Sequence, residues 1–135
     1  MLCTRLFFLQ PYAARISGYL KAKHPDVPVV YFANGGSSFL PAQLDMGMAA
    51  LSVDWRISMA RARALAGPDT VLAGNVDPMV LYGSEAGIRA AVETCVLQAG
   101  RGAKHVLNLG HGIEKDTPED AVHTFVDAAR QVSQS

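Results

Sequence analysis

The chain has 135 residues, half of them hydrophobic and 18% charged, a core-forming composition far from that of a disordered chain. Its 12 basic and 12 acidic residues cancel, so no broad positive face is available for nucleic acid, and an anionic ligand would need individual arginines. The length suits one domain, taken as residues 1–135, and no stretch approaches the roughly 20 apolar residues of a membrane span.

The opening run LFFL (6–9) is too short for the hydrophobic part of a signal peptide. Cys3 and Cys95 fit no metal or redox spacing and are expected to be reduced thiols in an intracellular protein. PYAARISGYLKAKH (11–24) reads as a helix, and VPVVYFA (27–33) as the first strand. NGGSS (34–38) lacks the lysine and spacing of a phosphate loop and is expected to be a plain turn, followed by a short helix, SFLPAQLDMG (38–47). ALSVDW (50–55) is the second strand. SMARARALAG (58–67) is a helix with Ser58 as its cap and Gly67 as its stop. TVLAGNV (70–76) is the third strand, and Asp77-Pro78 after it reads as a helix or turn starter.

SEAGIRAAVETCVLQAG (84–100) opens on Ser84 and closes on Gly100. Its Ile88, Ala91, Val92, Cys95, Val96 and Ala99 recur at three- and four-residue intervals, which predicts one buried stripe. HVLNLG (105–110) is the last strand. TPEDAVHTFVDAARQV (117–132) is a helix opened by Thr117 and Pro118, with Val122, Phe125, Val126 and Ala129 as its expected inner face. The four strands are short and nearly continuous in apolarity, which predicts cover on both faces. A helix followed by four strand–helix units without a hairpin predicts an α/β fold with four parallel strands and flanking helices. Two architectures satisfy that order: an open doubly wound sheet and part of a (βα)8 barrel.

In either one, the loops after the strands' C-terminal ends build the site. Those loops carry Asn34, Asp54, Arg56, Asn75, Asp77 and His111. His111 lies between Gly110 and Gly112, which are expected to let the chain turn sharply and to leave room for a ligand beside the ring. Asp54 also reads as a buried carboxylate holding adjacent backbone amides. His24 and His123 sit on helical segments facing solvent, and His105 opens a strand at the end away from the site. The sequence contains no Gly-x-Ser-x-Gly elbow, no paired Cys and His for nucleophilic chemistry, and no metal-ligand cluster.

The stretches LSVDW (51–55), AGNVDPMVLYGS (73–84) and HVLNLGHGI with KDTPED (105–120), in this order and spacing, resemble the last strands of the uroporphyrinogen decarboxylase family. Residues 11–36 are similar to the segment preceding them, so the resemblance runs from about Pro11 to the C-terminus. It implies the C-terminal half of a TIM (βα)8 barrel. The implied enzyme is a carboxy-lyase that removes four acetate carboxylates from uroporphyrinogen to give coproporphyrinogen in haem and chlorophyll synthesis. It further implies no metal or organic cofactor, a tetrapyrrole as the small-molecule partner, and a location in the cytoplasm or plastid stroma. Members of the family often dimerise, so a second copy is an expected partner; nucleic acid and membrane are not.

His111 matches the family's active-site histidine in its GHG motif and is the candidate substrate-binding residue. Asp54 and Asn75 match recurrent family positions and are the weaker cleft candidates; no catalytic residue is assignable in this chain. Arg56 departs from the small hydroxyl residue usual after DW. The family's RQAGR segment, its pyrrole-binding aspartate and its cleft tyrosine and serine have no match here. A whole barrel takes about 250 residues. The expectation is therefore a truncated member, inactive alone, with two unpaired sheet edges and an exposed apolar inner face. Two alternatives stand beside it. One is a non-catalytic half-barrel module that dimerises to close its sheet. The other is a different member of the barrel superfamily, such as a cobalamin-dependent methyltransferase, whose usual zinc-ligand pattern the two cysteines do not reproduce.

Overall fold

The computed structural model describes residues 9–133 apart from Arg101; Cys3 and most of the LFFL run lie outside the described residues. The order is α1 (Gln10–Lys23), β1 (Val30–Phe32), a 3-10 turn (Ser37–Phe39) running into α2 (Leu40–Leu44), β2 (Ala50–Ser52), α3 (Met59–Ala66) and β3 (Leu72–Val76). A second 3-10 turn (Pro78–Tyr82), α4 (Glu85–Ala99), β4 (His105–Leu109) and α5 (Glu119–Ser133) complete it. The helices start where their caps dictate. The Ser58 hydroxyl accepts from the Arg61 amide at 3.2 Å, and the Ser84 hydroxyl from the Gly87 amide at 3.2 Å. Each satisfies an amide that has no partner inside its own helix. Asp77 starts the second 3-10 turn in the same way, accepting from the Met79 amide at 2.9 Å.

The strands pair in parallel in the order β1-β2-β3-β4. A doubly wound sheet would reverse its winding partway along; strictly sequential order is one wall of a barrel. The outward row Tyr31, Leu51, Leu72 and the neighbouring Val53 and Val76 pack against the helices. There Met59 and Ala62 of α3, and Ile88, Val92, Cys95 and Ala99 of α4, complete the core. The α4 stripe is therefore the one its spacing predicts. Arg63 ties the lower end together. Its Nη1 donates to the Gly67 and Thr70 carbonyls at 2.9 and 2.7 Å, and its Nη2 to the Lys104 carbonyl at 2.9 Å.

The opposite row is open. Phe32, Ser52, Ala73 and Val106 stand side by side across the four strands, with Val30 one step earlier on β1. Val30 is 56% exposed, Val106 54% and Phe32 42%. Among the described residues nothing pairs with the free edge of β1 or of β4.

Three sequence expectations need correcting here. Cover on both faces holds for β3, which is buried throughout, but in β1 and β4 the residues on the open face are exposed and those facing the helices half-buried, because among the described residues nothing covers that face at these two strands. Of the expected inner face of α5, Phe125 is buried and Val122 and Ala129 pack against the core, joined by Ala121 and Ala128, whereas Val126 is 39% exposed. The helix packs mainly on α4, which draws Ala121 and Ala128 into the contact and leaves Val126 at its margin. The first strand also pairs only over Val30–Phe32, shorter than the apolar run 27–33.

Candidate functional site at the C-terminal ends of the strands

The loop after β2 carries Asp54, Trp55 and Arg56, and its shape is fixed from below by two buried polar side chains. Asp54, 1% exposed, accepts from the Ser37 hydroxyl at 2.6 Å, from the Arg56 amide at 2.9 Å and from the Gly35 amide. Burial pushes the Asp54 carboxyl up, but the Ser37 hydroxyl, the Arg56 and Gly35 amides and the Arg56 charge together hold it below the ordinary carboxylate value. Asn75 at the end of β3 donates from Nδ2 to the Ile57 carbonyl at 2.6 Å and to the Asp54 carbonyl at 3.0 Å. The Cys95 thiol accepts from the Asn75 amide at 3.4 Å and is held above its usual pKa, chiefly by burial. Asp54 Oδ1 and Asn75 Nδ2 thus brace the loop that presents Trp55, while Asp54 Oδ2 is buried without a hydrogen-bond partner among the described residues.

Trp55 is the hub above that brace. The Arg56 guanidinium stacks over its ring, 4.1 Å from the centroid. Arg56 Nη1 donates to Asn34 Oδ1 at 2.8 Å and lies 3.7 Å from Asp54 Oδ2, joining the loops after β1 and β2. The His111 ring meets Trp55 edge to face, with centroids 4.4 Å apart and planes at 80°. Gly110 makes this possible. A Cβ there would lie 2.6 Å from the Trp55 backbone nitrogen and 3.1 Å from its Cβ and Cε3. Gly110 is thus required by the tryptophan rather than by a ligand, while Gly112 faces open space. His111 Nδ1 faces the Gly112 carbonyl oxygen. A carbonyl only accepts, so the neutral ring carries its proton on Nδ1 and leaves Nε2 as an acceptor.

His111 is half-buried and lines an open recess of about 390 Å³ with Phe32, Ser52, Asn108 and Ile113. Phe32, Leu109 and Ile113 give it apolar surface, and its polar groups are an imidazole, a hydroxyl and an amide. Such a surface can lie against a flat apolar ring and hydrogen-bond its substituents. Ser52 and Asn108 escaped the sequence reading, although Asn108 interrupts an otherwise apolar run and stands three residues before His111. Asn75 and Asp77 line a different depression of about 370 Å³, on the helix side of Trp55.

His105 sits at the other end of β4. Its Nε2 donates to the Gly74 carbonyl at 2.7 Å. Burial lowers its pKa, the Gly74 bond opposes that, and the Arg63 charge lowers it further. A histidine whose pKa falls on folding is more readily protonated in the unfolded chain. Its contribution is therefore complete above the ordinary value of about 6.5 and is lost as pH drops through the folded value. Asp54 has the same sign in a lower window, below its ordinary value of 3.8. The urea midpoint should decline as pH is lowered from 7 to 5, and His105→Gln should flatten that decline; an unchanged slope would remove His105 from the account.

Comparison with known proteins agrees with this geometry. A family model described as uroporphyrinogen decarboxylase (URO-D) matches residues 6–132. The chain is 42% identical over 127 residues to a uroporphyrinogen decarboxylase of Crocosphaera subtropica, covering 94% of this chain and 36% of that relative. It is 39% identical over 125 residues to uroporphyrinogen decarboxylase 2, chloroplastic, of Arabidopsis thaliana (93% of this chain, 32% of the relative). A Histophilus somni uroporphyrinogen decarboxylase is 45% identical over 109 residues, covering 81% and 31%. Among solved structures, a methyltransferase from Methanosarcina mazei superposes with a TM-score of 0.80 at 22% identity, over 96% of this chain and 37% of that one. At that identity the match speaks for the fold alone. The chain spans about a third of the length of these curated relatives. The family model matches nearly the whole chain and the relatives are about 40% identical to it, so the chain belongs to the uroporphyrinogen decarboxylase family.

Proposed function

We propose that this chain supplies the C-terminal wall of a uroporphyrinogen decarboxylase barrel, with His111 contacting the tetrapyrrole as it loses its acetate carboxylates. The observation that carries the reading is His111 itself, oriented by Trp55 over an open recess of mixed apolar and polar lining at the C-terminal ends of the strands. In that position Nε2 meets substrate. Protonated, it donates to an acetate or propionate carboxylate; neutral, it accepts from a pyrrole N–H. Loss of carbon dioxide leaves an electron pair that a protonated pyrrole must absorb, so a carboxylate near the pyrrole nitrogens would stabilise the transition state. The Asp54 carboxylate is buried beneath the Trp55 loop, bound through Oδ1 to Ser37 and the Arg56 amide, and does not line the recess. The four strands therefore provide substrate contact without that stabilising charge, and the chain by itself is expected to form no coproporphyrinogen.

The test is a chimera in which residues 9–133 replace the matching third of the Crocosphaera subtropica relative, assayed by separating porphyrins according to carboxylate number. The chimera should convert the eight-carboxylate substrate to the four-carboxylate product. His111→Ala should cut kcat/KM at least tenfold, about 1.4 kcal/mol of transition-state binding. A folded chimera with unaltered turnover after His111→Ala would contradict the role given to His111. A chain that decarboxylates steadily on its own would contradict the division of labour.

A further inference from the structure

Arg56 is the one arginine in the four loops that follow the strands, and the residue after DW at which the chain departs from the family pattern. Its guanidinium is already held in place. The Trp55 ring lies against it, with Cζ 4.1 Å from the centroid, and Nη1 donates to Asn34 Oδ1 at 2.8 Å. Among the described residues nothing accepts from Nε or Nη2, and the side chain is 50% exposed. Asp54 leaves that side of the guanidinium free. Its Oδ1 is taken by the Ser37 hydroxyl and the Arg56 amide, and its Oδ2, wholly buried, stands 3.7 Å from Nη1, beyond hydrogen-bond distance. Nε and Nη2 form the edge of a guanidinium that presents two parallel N–H bonds, the fork that matches the two oxygens of a carboxylate. Stacking on the indole has already fixed the side chain, so a ligand need not order it. His111 meets the same Trp55 ring, so the unused fork and the imidazole share one support.

We infer that Arg56 is a carboxylate-binding residue of this site, taking through Nε and Nη2 a carboxylate that the ligand keeps. The choice of a retained carboxylate rests on the tetrapyrrole reading of the site and follows from the chemistry. Decarboxylation removes charge from the group that leaves. An ion pair to that group is stronger in the ground state than in the transition state, so it slows the reaction. A guanidinium helps only where it grips a carboxylate that stays, which on uroporphyrinogen is a propionate. Arg56 then fixes the position of the macrocycle, and its loss weakens binding.

The test uses the full chain and the emission of its single tryptophan. Three probes are titrated in turn: citrate, uroporphyrin with its acetates and propionates, and coproporphyrin with its propionates alone. Each should change the Trp55 emission saturably, and Arg56→Gln should raise each apparent Kd about tenfold. Arg61→Gln, at an exposed position of α3, should leave all three unchanged. Arg56→Lys keeps the charge without the planar fork and should fall between the parent and Arg56→Gln. All variants should keep the parent's circular dichroism. No saturable response to citrate, or equal citrate affinity in the parent and Arg56→Gln, overturns the inference. A loss with uroporphyrin but not with coproporphyrin overturns the choice of a retained carboxylate. Citrate bound through Arg56 while neither porphyrin binds upholds the carboxylate site and removes the tetrapyrrole reading instead.

Discussion

Gly110→Ala is expected to destabilise the chain by about 3 kcal/mol and to break the contact between His111 and Trp55. The added Cβ would fall 2.6 Å from a backbone nitrogen of the Trp55 loop, and no side-chain rotation can relieve a clash with backbone. That loop is braced by Asp54 and Asn75, so it cannot retreat without giving up buried hydrogen bonds. Trp55 is the single tryptophan, which makes the readout direct. The urea midpoint should fall and the emission should move to longer wavelength as the ring loses its packing. Gly112→Ala is the matched control. Its Cβ would meet nothing within 4 Å, and stability should stay within about 0.5 kcal/mol of the parent. Equal effects of the two substitutions would mean that the glycines serve chain flexibility and not the approach of the tryptophan.

Asp54→Ala should be more damaging still, at about 3–5 kcal/mol. It strands the Ser37 hydroxyl and the amides of Gly35 and Arg56 without an acceptor, and removes the carboxylate facing the Arg56 guanidinium. Asp54→Asn keeps one acceptor oxygen for these donors but places an amide where Oδ2 now lies 3.7 Å from Arg56, so its loss should be smaller. Chemical denaturation of the three proteins checks the order. If Asp54→Asn is as costly as Asp54→Ala, charge outweighs hydrogen bonding at this site.

Much of the architecture was legible because it is written locally. The caps Ser58 and Ser84, the three- and four-residue recurrence along α4, and the absence of hairpin turns each act within one element or one connection. Edges are different. β1 and β4 read as apolar runs like β3, and nothing within a run says how many neighbours a strand will have; exposure of Val30 and Val106 is a property of the sheet. The exposure of Val126 on α5 has the same origin, since it depends on which surface the helix meets. The position of His111 just beyond a strand end was legible from GHG, but its supports were not. The role of Gly110 depends on a tryptophan 55 residues earlier in the chain, and the Gly74 carbonyl that binds His105 lies 31 residues before it. Only the register of the strands brings these together. Ser52 and Asn108 join His111 for the same reason, through the shared face that parallel pairing creates.

The most direct test of an unclosed barrel wall is amide hydrogen exchange along the four strands of the isolated chain. β3, paired on both sides, should exchange slowest. β1 and β4 should each hold only the amides turned toward β2 and β3, with those on the outer edges exchanging at near-solvent rates until a complementary half-barrel is added. Uniform slow exchange across β1 and β4 in a monomer would mean that the sheet is already closed on itself, and the account would be wrong.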